Sequence, residues 1–165
     1  TMNAIPPAVS LTLLPDHLSI YRFDPVTPLS EIGQPSGVWS ITRTQRELSV
    51  VAEENSCLAA DDVDPGWRCL YVDGPIPFDL AGVVAGLTAA VAQQGLPVFV
   101  LSTFDSDLLL LRGKYLDQSL RALRDKGYLI SGAAPLHRYE GARLSTFLGQ
   151  PATRMSASIV LVLQA

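Results

Sequence analysis

Residues 66–132 carry the most regular succession of apolar and polar positions in the chain. Trp67-Arg68-Cys69-Leu70-Tyr71-Val72 alternates and runs into Asp73-Gly74-Pro75, the pattern of a strand entering a turn. Leu80, Val83, Val84, Leu87 and Val91 then recur at helical spacing until Gly95 and Pro97 stop the run. Residues 97–104 read as a buried strand, Asp105-Ser106 as a tight connection, and residues 108–111 as the returning strand, which Gly113 breaks. Leu116, Leu120 and Leu123 form the stripe of a second helix, with Arg121, Arg124 and Asp125 outward and Gly127 as its C-terminal stop. Residues 128–130 give a last short strand. The predicted order is β-α-β-β-α-β, the split ferredoxin-like arrangement.

The preceding half is mostly strands. Residues 11–14 and 17–23 read as two extended segments separated by Pro15-Asp16, and residues 28–32 leave room for one helical turn. Residues 38–44 and 47–53 predict a hairpin around Gln45-Arg46. Pro25, Pro28 and Pro35 exclude a full first helix, so this half is an abbreviated relative of the second. Residues 54–66, with several acids and Pro65, make the expected joint. Beyond Gly132, residues 139–149 read as a short helix or loop and 156–163 as a strand added at a sheet edge. The predicted divisions are 9–64, 65–132 and a C-terminal extension, 133–165.

With 48 % apolar and 17 % charged residues over 165 positions, the chain can bury a substantial core. Its net charge of −4 gives no general attraction to nucleic acid or to an anionic membrane surface. No apolar run reaches the roughly 18 residues of a membrane span, and no secretory signal pattern opens the sequence. A cytoplasmic protein is expected. Cys57 and Cys69 have no metal-ligand spacing and read as two reduced thiols. Leu108 to Leu111 is apolar on both strand faces, which calls for a cover from the tail, the other half or a second subunit.

The chemistry concentrates in Leu101-Ser102-Thr103-Phe104-Asp105-Ser106-Asp107 and in the segment Asp73 to Gly82 that opens the first helix. Hydroxyls and carboxylates at a strand end can take an ammonium, and helix-opening amides can take a carboxylate. A small zwitterion needs both. Asp79 is placed as an N-cap, and Gly82 costs about 1 kcal/mol of helicity against alanine. Asp107 reads either as a ligand carboxylate or as a turn residue capping its own backbone, and Phe104 reads as core or as a pocket wall. Ser49, alternating with Leu48 and Val50, reads as a site hydroxyl or as a solvent-facing edge residue. Asp105 and Asp107 fall on opposite faces of an extended chain, so they do not make a cooperating acid pair. His17 and His137 lack partners at a telling spacing. No catalytic residue, cofactor or metal site is expected.

Laid out this way, the chain resembles the ACT-domain family, and within it the short two-lobed ACT proteins related to the cytosolic arginine sensors of the TOR pathway. The resemblance is carried, in order, by Leu11-Thr12-Leu13-Leu14-Pro15, Trp39-Ser40-Ile41-Thr42-Arg43-Thr44, Glu47-Leu48-Ser49-Val50-Val51, Gly74-Pro75-Ile76-Pro77-Phe78-Asp79-Leu80-Ala81-Gly82, and Ser102-Thr103-Phe104-Asp105-Ser106-Asp107. It implies an α+β fold of two ACT-like (ferredoxin-like βαββαβ) lobes, antiparallel sheets with helices on one face, the first lobe abbreviated. It also implies a non-catalytic regulatory module that binds an amino acid at the interface of the lobes. By position, the implied ligand contacts are Ser49, Val50, Asp79, Gly82, Val83, Thr103, Phe104 and Asp107. Asp105 and Ser106 depart from the sensors' intervening residues, so arginine itself does not follow.

The reading is therefore a non-enzymatic amino-acid sensor with a small-molecule ligand. A second copy of the chain or a regulatory protein is its macromolecular partner. The alternatives are a protein-interaction module with a vestigial pocket, and a small enzyme that recruited the pocket.

Overall fold

The computed structural model describes residues 9–57, 59–76 and 81–132. They fall into two compact units. One, split in sequence, joins residues 9–15 to residues 67–132, and the other, inserted between them, is Asp16–Gly66. The expected extension, with its helix or loop at 139–149 and its strand at 156–163, lies outside the described residues.

In the split unit, β4 (Asp62–Val72) leads to α1 (Val83–Ala92), β5 (Val98–Ser102), β6 (Asp107–Arg112), α2 (Leu116–Asp125) and β7 (Leu129–Gly132). This is the predicted element order. β6 pairs antiparallel with β4 on one side, Cys69 opposite Leu110, and with β5 on the other, Phe99 opposite Leu110. The last strand departs from the simple pattern. β7 runs parallel to the start of β1 (Ser10–Phe23), from Ser10 opposite Leu129 to Leu13 opposite Gly132, and β1 itself lies beside β4.

Alternate strand residues share a face, so Leu70 and Val72, Leu109 and Leu111, and Val98 and Val100 all point the same way. They pack with Leu11, with Val83, Leu87 and Val91 of α1, and with Leu120 and Leu123 of α2 in one core. Both helices therefore cover the same face. Each fully buried leucine contributes about 1.5–3 kcal/mol. The end of α2 is set by Gly127 at φ +92°, whose N–H donates to Arg124 O at 2.9 Å while Tyr128 N–H reaches Leu123 O at 3.2 Å. That is a Schellman close, and it needs a residue that tolerates positive φ.

In the inserted unit, β3 (Leu48–Glu53) lies between β2 (Ser40–Arg43) and the second part of β1, antiparallel to both. Thr44 closes the β2–β3 hairpin, as its hydroxyl accepts from the amides of Arg46 and Glu47. Tyr21, Phe23, Trp39, Ile41, Leu48 and Val50 make a separate core. The one helical element among the described residues here is a 3-10 turn at Leu29–Glu31.

Several expectations are corrected. Residues 10–23 form one strand through Pro15, not two. Ser10 O and Arg22 O accept from Asp73 and Asp61, so even-numbered residues of β1 face β4. Pro15 thus faces the other way, where pairing to β7 ends at Leu13 and pairing to β3 starts at Leu18. Its missing N–H costs no ladder bond there. The expected joint is half strand, since β4 starts at Asp62, and α1 opens at Val83 instead of Leu80. β5 is half-exposed instead of buried, because it is the edge strand of its sheet. Leu108 to Leu111 are all buried within the single chain, which agrees with the expected cover of both strand faces.

Candidate functional site

The β5–β6 turn is built from its own hydroxyls. Thr103 N–H donates to Ser106 O at 2.8 Å, and the Thr103 hydroxyl donates to the same carbonyl at 2.9 Å while accepting from Ser106 N–H at 3.1 Å. The Thr103 hydroxyl is thus committed to the turn. Phe104 and Asp105 form the tip, and Phe104 is 78 % exposed. It is not a core residue. With Thr103 and Ser106 tied inward, the tip residues are forced out.

Asp107 opens β6 opposite Ser102, whose hydroxyl donates to Asp107 Oδ1 at 2.6 Å. The carboxylate is oriented across the hairpin by a neighbouring strand and does not cap its own backbone. A carboxylate with one oxygen so engaged keeps acceptor capacity for an ammonium or guanidinium. On the far side of β4, Thr12 donates to Asp73 Oδ1 at 2.7 Å.

The start of α1 supplies the opposite character. Gly82 stands at its N-cap with φ +89°, a conformation that costs glycine little and other residues more. Among the described residues, neither a side-chain cap nor an acid in the first turn satisfies the opening amides. The first intrahelical bond is Gly86 N–H to Gly82 O at 2.9 Å, so the amides before it have no partner within the helix. Gly82 is exposed, and among the described residues nothing stands within 4 Å of where its Cβ would be. The opening is electropositive. The Val83 side chain, by contrast, belongs to the core of the split unit. Asp79 lies outside the described residues.

Gly82, Val83, Thr103, Phe104 and Asp107 all belong to the split unit, and Ser49 and Val50 to the inserted one. Ser49 is half-buried on β3, between Arg22 and Thr42, and so is not on an edge. Val50 has no exposed surface and is a core residue.

Sequence reasoning left Gly74, Ser102 and Ser106 out of the site. Ser102 and Ser106 differ little by type from any turn serine; what distinguishes them is where their hydroxyls go. Outside this region, burial pushes the Cys57 thiol up, partly opposed by the Ser56 hydroxyl, and burial likewise raises the Tyr128 phenol. Among the described residues, no group of His, Cys, Asp and Glu is arranged to hold a metal, and no helix is long and apolar enough to cross a membrane.

A family model described as the ACT domain matches residues 62–125. The crystal structure of protein Atu0741 from Agobacterium tumefaciens is 33 % identical, covering 79 % of this chain and 98 % of that one, with a TM-score of 0.69. The chain carries an ACT domain over residues 62–125. More distant structures share the fold. The ligand-free regulatory subunit of aspartate kinase from Thermus thermophilus is 16 % identical, covering 72 % of this chain and 97 % of that one, with a TM-score of 0.54. Protein VC0802 from Vibrio cholerae is 15 % identical over 72 % of this chain and 90 % of that one, with a TM-score of 0.57. No curated protein matches the sequence.

The ACT match begins where β4 begins and ends with the last residue of α2. It therefore contains the helix opening and the β5–β6 turn, whereas Ser49 and Val50 lie outside it.

Proposed function

We propose that this ACT-domain chain is a non-catalytic regulatory module whose ligand is an amino acid. The ligand carboxylate meets the amides that open α1, and its ammonium or basic side chain meets Asp107. Two observations within one unit carry this reading: a helix opening without a side-chain cap among the described residues, and an Asp107 carboxylate oriented by the Ser102 hydroxyl. The regulatory subunit of aspartate kinase, a protein of the same fold, supports a role in control instead of chemistry. The inserted unit is read as the abbreviated first ACT lobe. Binding then regulates by favouring one arrangement of the chain over another.

The test is a thermal-shift panel of the standard L-amino acids, each beside its α-amide and its N-acetyl derivative. Likeness to the arginine sensors makes L-arginine the first member. A free amino acid present at about 100 times its Kd stabilises by about 2.7 kcal/mol. Both derivatives are expected to lose that shift, because one removes the carboxylate and the other the ammonium. A panel without any shift, or derivatives as good as the parent, would overturn the proposal.

A second reading, a protein-interaction module, is favoured by β5. Among the described residues this strand has no neighbour on its outer edge, and Phe99 and Leu101, on the face away from the helices, are half-exposed. Such edges accept another strand. If that reading holds, Leu101→Lys abolishes a partner complex or a self-associated form in light scattering and leaves the amino-acid shift intact.

A further inference from the structure

The loop that follows β4 and the turn between β5 and β6 are fastened together inside the split unit. Ile76 N–H donates to Asp105 O at 2.8 Å. The Ser106 hydroxyl, on a residue only 4 % exposed, donates to Val72 O at the end of β4. Gly74 lies so close to the turn that a Cβ built there would stand 2.7 Å from Asp105 O and 3.6 Å from the Ser106 side chain. The first of these distances is below any normal contact and involves backbone, which cannot swing aside as a side-chain end can.

From these contacts we infer that Gly74 and Ser106 are positioning residues for ligand recognition. They lock the turn carrying Asp107 to the loop that continues toward the helix opening, so the carboxylate and the helix start are held as one piece. The inference rests on the reading of Asp107 and the α1 amides as the ligand's two anchors. Each residue has its own physical role. Gly74 permits the approach that the Ile76–Asp105 bond requires. Ser106 supplies a buried hydroxyl bonded to a residue distant in sequence, and a buried polar group of that kind is costly unless it is bonded. Ile76 also packs against the core to which Val83 of α1 belongs.

The experiment is amide hydrogen exchange on the full chain and on Gly74→Ala, Ser106→Ala and Ser106→Thr, joined to titration of each with the standard L-amino acids. Gly74→Ala and Ser106→Ala are expected to speed exchange at Ile76 by roughly tenfold or more, while Val100 and Leu109 in the strand ladder keep their protection. The same two variants are expected to weaken the amino acid that binds the parent by a similar factor. Ser106→Thr, which restores a hydroxyl, recovers both. Unchanged exchange at Ile76, or equal acceleration at Ile76, Val100 and Leu109, would overturn the inference by showing no lock or only a general loss of stability. Should Gly74→Ala fail to fold, the two Ser106 variants decide. If no amino acid binds the parent chain, the ligand reading fails while the exchange pattern still judges the lock.

Discussion

Leu109 has no exposed surface and packs in the core with both helices from a strand paired on both sides, so its surroundings relax only partly into a space left there. Leu109→Ala is expected to lower unfolding free energy by about 2–5 kcal/mol in urea titrations. Tyr128 offers a titration instead of a cavity. Burial raises its phenol above the ordinary value, so the folded state holds that proton longer than the unfolded chain does. The resulting contribution is complete below the ordinary phenol pKa of about 10 and declines as pH rises through it toward the higher folded value. Unfolding free energy is expected to fall as pH rises through the ordinary phenol value of about 10, and Tyr128→Phe should make that fall shallower. An equal fall in both proteins would contradict the assignment. The residues that mattered least by type were the hardest to read from sequence. Ser106 and Gly74 take their roles from neighbours about thirty positions away, and the core reading of Phe104 failed because apolar character does not say which way a turn tip points.

At the scale of elements, local pattern was a good guide to what each segment forms and a poor one to where it starts and what lies beside it. The β-α-β-β-α-β succession and the hairpin at Gln45-Arg46 follow from apolar spacing and turn residues, which are local causes. The opening of α1 moved from Leu80 to Val83 because Gly82 takes a left-handed conformation, which periodicity cannot register. β5 carries the same apolar string whether it is central or at an edge; only strand order makes it half-exposed. Gly82→Ala is expected to cost about 1–2 kcal/mol through the left-handed backbone alone, since among the described residues nothing stands within 4 Å of its Cβ position. A stability equal to that of the parent in urea would show that the helix start relaxes to another conformation.

For the whole molecule, the decisive feature is the order in which the chain supplies its units. A cut between residues 64 and 65 looked natural from composition, yet residues 9–15 belong with the residues after Trp67. Leu11 stands in the core with both helices, and its strand is the one on which β7 pairs. Removing the chain up to Pro15 is therefore expected to abolish the near-ultraviolet circular dichroism of the split unit, although all of its later elements remain. Retention of that signal would mean that β7 finds another partner. The account as a whole stands on an acid that meets the ligand's positive end. Titration calorimetry of the chain and of Asp107→Asn against the standard L-amino acids tests it most directly. At least one amino acid is expected to bind the parent, and to bind Asp107→Asn weaker by roughly tenfold or more, about 1.4 kcal/mol. No heat from any amino acid, or equal affinity in the two proteins, would contradict it.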